Sequence, residues 1–145
     1  LFDQILALPF ILQGICMVVD EFYFHEKRGL ARWESLGHPL DSLTVFVSLG
    51  FLLMAKPIEG NAAIFLGLSI FSCLFITKDE WVHRTECTGL ENWLHAVLFV
   101  LHPIIFLCAG LLWWRGETFL LQVQVAIVGV FMLYQLLRWN ISWAK

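Results

Sequence analysis

Five apolar runs separated by short polar breaks make up the chain. They extend from about Gln4 to His25, His38 to about Lys56, about Asn61 to His83, about Glu91 to Trp114 and about Thr118 to Trp139. A membrane-spanning helix needs about 20 mainly apolar residues, within a range of roughly 17–25. All five runs qualify, the second at the short end. None alternates with period two as a barrel strand would, and a bilayer admits only helices or closed barrels, because backbone groups there must be satisfied within the protein. The pattern predicts an all-α integral membrane protein of about five transmembrane helices in a single domain. Two helical hairpins, about 4–56 and 61–114, form a four-helix bundle, and a fifth helix spans about 118–139. Pro57 and Gly60 mark the break between the hairpins. The loops are too short for a soluble domain.

Composition agrees. Of 145 residues, 59% are hydrophobic and 14% charged, and mean hydropathy is +0.77. A soluble domain has roughly 45–50% apolar and about 25% charged residues. The net charge of −3 is mild and no basic block suggests nucleic acid. The chain begins at Leu1 rather than Met, and no charged region with a cleavage site marks a signal peptide. Cys16, Cys73 and Cys108 lie in apolar runs, where free cysteine behaves as a small hydrophobe. No disulfide framework is expected. Cys87 differs in occupying a polar turn.

Charge also suggests an orientation. The end reached by the C-termini of helices 1, 3 and 5 carries Lys27, Arg28, Arg32, Lys78, Arg84, Arg138 and Lys145, and the opposite end only Lys56 and Arg115. Seven cations against two predict that the first end is cytoplasmic. Trp33, Trp81, Trp93, Trp139 and Trp143 fall near it, with Trp113 and Trp114 near the other, as interfacial belts would place them.

Two segments at the cationic end resemble each other: DEFYFHEKRGLARWESLGH from Asp20 and DEWVHRTECTGLENWLH from Asp79. Each opens on Asp-Glu at a helix end, reaches a His, passes through Gly-Leu, and closes on Glu four residues before a second His. Both turns lie at one end of the molecule, so a two-fold pair of hairpins brings the motifs together. Parallel repeats of this kind relate by an axis along the membrane normal. Residues three or four apart share a helix face. Glu21 pairs in this way with His25, His38 with Asp41, Asp79 and Glu80 with His83, and Glu91 with His95; His102 lies two turns beyond His95. Ionisable groups at membrane depth usually face a bundle interior and mark function. Histidines and carboxylates from four helices are how dinuclear carboxylate sites are built. The candidate metal ligands are therefore Glu21, His25, His38, Asp41, Asp79, Glu80, His83, Glu91, His95 and His102, holding two or more transition-metal ions: iron or manganese first, zinc as the alternative.

Several of these residues have plainer readings. Asp20 is roughly 140° from His25 on an ideal helix and so faces headgroup water. Glu26 and Glu34 read as solvated partners of Lys27, Arg28 and Arg32. Thr88-x-x-Glu91 is a capping box. Pro39 fits a first helical position, with Asp41 favouring the helix dipole. His102 before Pro103 is balanced between the site and a bond to a carbonyl freed by the proline. Helix 5 offers only Gln122, Gln124, Tyr134 and Gln135 as polar content, so it packs outside the core or on a second protomer.

The spacing Glu80-x-x-His83 resembles the Glu-x-x-His of ferritin-like diiron proteins, and Glu21-x-x-x-His25 departs from it. Membrane-bound desaturases and hydroxylases are similar in clustering histidines near the cytoplasmic face, but their HxxxH and HxxHH boxes are absent; hemerythrin-like spacings are absent too. No ligand role is carried over from these groups. The expected function is a dinuclear metalloenzyme doing redox chemistry on a lipid or quinone entering from the cytoplasmic leaflet. The alternatives are a zinc-dependent lipid hydrolase using a metal-activated water, a non-enzymatic metal carrier or sensor, and a structural subunit stapled by metal. Transporters usually break helices near the midplane, and apart from His102-Pro103 the helix centres here are unbroken.

Overall fold

The computed structural model describes residues 2–141, so Trp143 and Lys145 of the sequence analysis lie outside the described residues. The described residues are helical, with no strand. Five helices are long and apolar enough to cross a membrane: α1 (Gln4–Arg28), α2 (Arg32–Met54), α3 (Glu59–Glu86), α4 (Gly89–Trp114) and α5 (Thr118–Ile141). Large apolar side chains such as Met54, Leu74 and Val130 face outward, while Glu21, His25, Glu34, Asp79 and Glu91 are buried. That arrangement suits a lipid solvent, in which outward apolar groups carry no penalty and ionisable ones must find partners within the protein.

Three local departures from α-helix shape the cationic end. Asp20–His25 forms a π-turn in α1, Ile76–Asp79 a 3₁₀ turn in α3, and Leu137–Ile141 a second π-turn in α5. π-turns inside helices are rare and concentrate at functional sites. The connection from α1 to α2 turns at Gly29, whose φ of +79° suits glycine.

Helix α2 starts six residues earlier than the sequence indicates, so Pro39 lies two turns inside it. Proline there removes the N–H that would bond the Ser35 carbonyl. Asn140 of α5 supplies the replacement, its Nδ2 donating to Ser35 O at 2.7 Å. A buried stretch of backbone is thus satisfied across helices.

α1 packs chiefly on α4, and α2 on α3 and α5. Each helix of one repeat copy therefore rests against a helix of the other. The end remote from the charged groups is apolar and dense, with Leu49, Leu52, Ile105, Leu112 and Leu121 fully buried. Trp113 Nε1 donates to Ala55 O at 2.9 Å and ties the end of α4 to that of α2. In lipid, where a hydrophobic driving force between helices is absent, close packing and such bonds would carry the association.

Candidate metal centre

At the cationic end the four motif helices converge. The π-turn decides what faces inward on α1. Its i→i+5 bonding brings residues five apart nearly into line, so Asp20 shares the His25 face instead of pointing to headgroup water. The Asp20 carboxylate lies 3.3 Å from His25 Nε2 and 3.0 Å from His95 Nε2. Glu21 is buried as well, 3.5 Å from His25 Nδ1.

The imidazoles form two pairs. The rings of His25 and His38 are stacked with centroids 4.8 Å apart, and those of His83 and His95 lie 4.0 Å apart. One ligand atom from each of Asp20, His25, Glu91 and His95 lies within 4.8 Å of the others. The same holds for Glu34, His38 and His83, for His38, Asp41 and Asp79, and for His83, Cys87 and His95. Two of these groups match through the repeat. His25 meets the Glu91-x-x-x-His95 unit of the other hairpin, and His83 meets Glu34-x-x-x-His38 in the same way. Neither group forms within one hairpin.

Three cations hold most of the carboxylates. Arg28 grips Glu34 through two bonds of 2.8 Å and reaches Glu91 Oε1 from Nε at 3.2 Å. Glu34 is therefore a partner of the basic turn, as the sequence suggests, but a fully buried one. Glu91 also closes the capping box with Thr88. Lys78 Nζ bonds both oxygens of Asp41, at 2.7 and 2.8 Å, and Asp79 Oδ2 at 2.8 Å. Gly37 makes this approach possible, since a Cβ there would come within 3.0 Å of Asp79 Oδ1 and 3.3 Å of Lys78 Nζ. Outside the cluster, Arg138 pairs with Glu26 at 2.9 Å on the surface.

Helix α5 enters the site, contrary to the peripheral place its sequence suggests. Gln135 Nε2 donates to Glu21 Oε2 at 3.2 Å and Trp139 Nε1 donates to Glu21 Oε1. Gln135 Oε1 in turn accepts from Ser42 Oγ at 2.9 Å. Nothing in the sequence of α5 marks these as site residues beyond an amide and an indole near its C-terminus.

Three candidate ligands fall outside the four groups: Glu21, buried beside His25 but with its oxygens accepting from Gln135 and Trp139, and also Glu80 and His102. Glu80 is exposed and belongs to none of the four groups, because the 3₁₀ turn ends at Asp79 and turns the next residue outward. His102 is buried but bonds Ser72 Oγ at 2.9 Å, and Ser72 lies 2.7 Å from Thr44 Oγ1. It does not turn back to the carbonyl freed by Pro103. Cys87 is an addition the sequence did not single out as a ligand. Burial, and then the Glu91 carboxylate, push its thiol well up. A thiol kept protonated is a weak donor, which leaves the imidazoles as the stronger ones.

A cavity of about 290 Å³ opens onto this cluster, reached by His38, Asp41, Asp79, His83, His95 and His102. His38 Nε2, His83 Nδ1 and Nε2, His95 Nδ1 and Asp79 Oδ1 are buried and lack hydrogen-bond partners, and the His25 nitrogens have only the Asp20 and Glu21 carboxylates at 3.3 and 3.5 Å. Buried polar atoms are nearly always partnered, so five in one place are the chief anomaly of the molecule. Comparison with protein-family models, with curated proteins and with solved structures gives no match to this chain.

Proposed function

We propose that this chain is an intramembrane metalloprotein that binds two or more transition-metal ions and acts on an amphipathic, lipid- or quinone-like molecule at the cytoplasmic membrane face. One observation carries the reading: four imidazole nitrogens and one carboxylate oxygen are buried together without hydrogen-bond partners, beside a His25 whose nitrogens meet only carboxylates. Leaving a buried donor or acceptor unsatisfied costs about 1–3 kcal/mol each. A bound cation satisfies several at once, and its free energy then adds to that of the folded bundle. Two ligand groups related by the repeat support two ion positions. The hairpins are read as copies of one unit whose crosswise packing makes the four-helix bundle, with α5 closing it on one side.

Redox chemistry at iron or manganese is the first reading, because imidazole and carboxylate donors suit those metals and the cavity beside them is lined mainly by apolar side chains. A zinc hydrolase is the second, and the donor balance favours it. Arg28 and Lys78 hold the carboxylates that would bridge two redox metals, whereas three histidines and an open position are a catalytic zinc set. Zinc would lower the pKa of bound water, with Asp79 Oδ1 as the free base.

Metal analysis of protein purified without chelators, with optical and electron-paramagnetic spectra, tests both. Iron or manganese at two or more per chain supports the redox reading. Spectroscopically silent zinc supports the hydrolytic one. Less than one transition-metal ion per chain overturns both. Cysteine-accessibility labelling at positions 32 and 59 tests the orientation, with opposite sidedness expected and the same sidedness refuting the five-span topology.

A further inference from the structure

In the group made by His38, Asp41 and Asp79, one side-chain cation spans two of the members. Lys78 Nζ donates to the two oxygens of Asp41 at 2.7 and 2.8 Å and to Asp79 Oδ2 at 2.8 Å. Those bonds use all three protons of an ammonium. Asp79 Oδ1 and His38 Nε2 are left buried with no partner, on an aspartate that is 2% exposed and an imidazole beside it. A divalent metal ion takes about four to six donors. Lys78 therefore neutralises the carboxylate pair without using every donor around it.

Lys78 is also placed to leave. Its side chain and that of Asp41 are each 17% exposed, against at most 10% in the group of Asp20, His25, Glu91 and His95. Its Nζ lies 4.7 Å from the Phe75 ring centroid, at the cationic end of α3. A long stem there can carry its charge to the interface. Gly37 leaves the stem room to turn, since a Cβ would lie 3.3 Å from Lys78 Cε and Nζ. An ammonium and a divalent ion cannot both sit between these carboxylates, because like charges so close repel strongly where little water screens them.

We propose that His38, Asp41 and Asp79 form a third cation position, which Lys78 plugs with its own ammonium and yields to a divalent metal ion by swinging out to the interface. It rests on the reading of the chain as metal-binding and adds to the two repeat-related positions. The lysine keeps two close carboxylates together until the ion arrives. Asp41 and Asp79 belong to no other group, whereas His38 is shared with Glu34 and His83. An ion here is thus recognised by its dependence on Asp41.

The test uses the purified full chain in detergent micelles, stripped with chelator and then titrated with Zn2+. In wild type, Lys78 is acylated with an amine-reactive ester and followed by mass spectrometry, with exposed Lys27 as reference. Excess Zn2+ should raise Lys78 labelling relative to Lys27 roughly 10-fold, the weight of one lost charge-assisted hydrogen bond. Lys78→Met should hold one more Zn2+ per chain than wild type at the same free concentration, and adding Asp41→Asn should remove that ion. Lys78 labelling that Zn2+ does not change overturns the proposal, and so does a Lys78→Met variant that gains no ion or keeps the gained ion after Asp41→Asn. If Lys78→Met fails to fold, the labelling of wild type decides alone. Fewer than one ion in wild type, beside an Asp41-dependent gain in Lys78→Met, would count instead against the two repeat-related positions.

Discussion

The two repeat copies open on the same Asp-Glu dipeptide and use it differently. In α1 the π-turn from Asp20 to His25 widens the helix, and both Asp20 and Glu21 are buried against histidines. In α3 the 3₁₀ turn from Ile76 to Asp79 narrows the helix, so Asp79 is buried and Glu80 faces out. The copies also differ three residues after the first histidine, where Arg28 stands in one and Glu86 in the other. Arg28 then binds a glutamate from each copy, Glu34 and Glu91, so one side chain serves two equivalent positions. A near-symmetric sequence therefore yields an asymmetric centre, through helix pitch and a single cation.

The largest expected effect falls where the copies agree. His25→Ala and His83→Ala should each reduce metal affinity by more than the roughly 10–100-fold typical of an outer-shell partner, measured by equilibrium dialysis and elemental analysis. The double variant should lose less than the product of the two, because the residues belong to one network. Full occupancy in His25→Ala would reduce the repeat to a packing feature. His102→Ala, whose imidazole bonds Ser72, should retain more metal than either.

Next comes the place where the copies differ in charge. Arg28→Met strands Glu34 and Glu91, both almost without exposure, and should destabilise the protein by about 3–5 kcal/mol in chemical unfolding from detergent micelles. Adding Glu34→Gln should recover part of that loss; no recovery would mean that Arg28 acts through packing rather than charge.

The matched dipeptides give a finer test. Asp79→Asn should weaken metal binding by roughly 10-fold or more, whereas Glu80→Gln should leave it unchanged. Equal sensitivity at the two positions would contradict the outward turn of Glu80.

The smallest effect concerns α5. Trp139→Phe removes the N–H that Glu21 accepts, leaving a buried carboxylate oxygen short of one donor at a cost of about 1–3 kcal/mol. A thermal-unfolding midpoint equal to that of wild type would return α5 to the peripheral role its sequence suggests.

Much of this was legible in the chain itself. The length and apolar character of the runs predict five helices long enough to span a bilayer, where the backbone has few other options, and the structure has five such helices. The repeated Asp-Glu, His and Glu-x-x-x-His spacings determine that two ligand-rich turns meet at one end, since residues four apart share a face on any regular helix. The assumption of regularity is also where sequence reading stopped. The 140° offset that points Asp20 into water holds only for an α-helix, and the π-turn cancels it. Glu80 was lost from the cluster by the opposite change of pitch. The start of α2 was displaced because Pro39 suits a first turn, and only a donor from Asn140, 101 residues further on, makes it acceptable two turns inside. Gln135 and Trp139 carry no signal of their own, because an amide and an indole become site residues only when Glu21 is placed against them. Helix count and the supply of histidines and carboxylates depend on local composition and so were determined by the sequence. Helix pitch, the crosswise pairing of the hairpins and the partners of each carboxylate depend on which side chains meet across helices, and only the tertiary structure decided them.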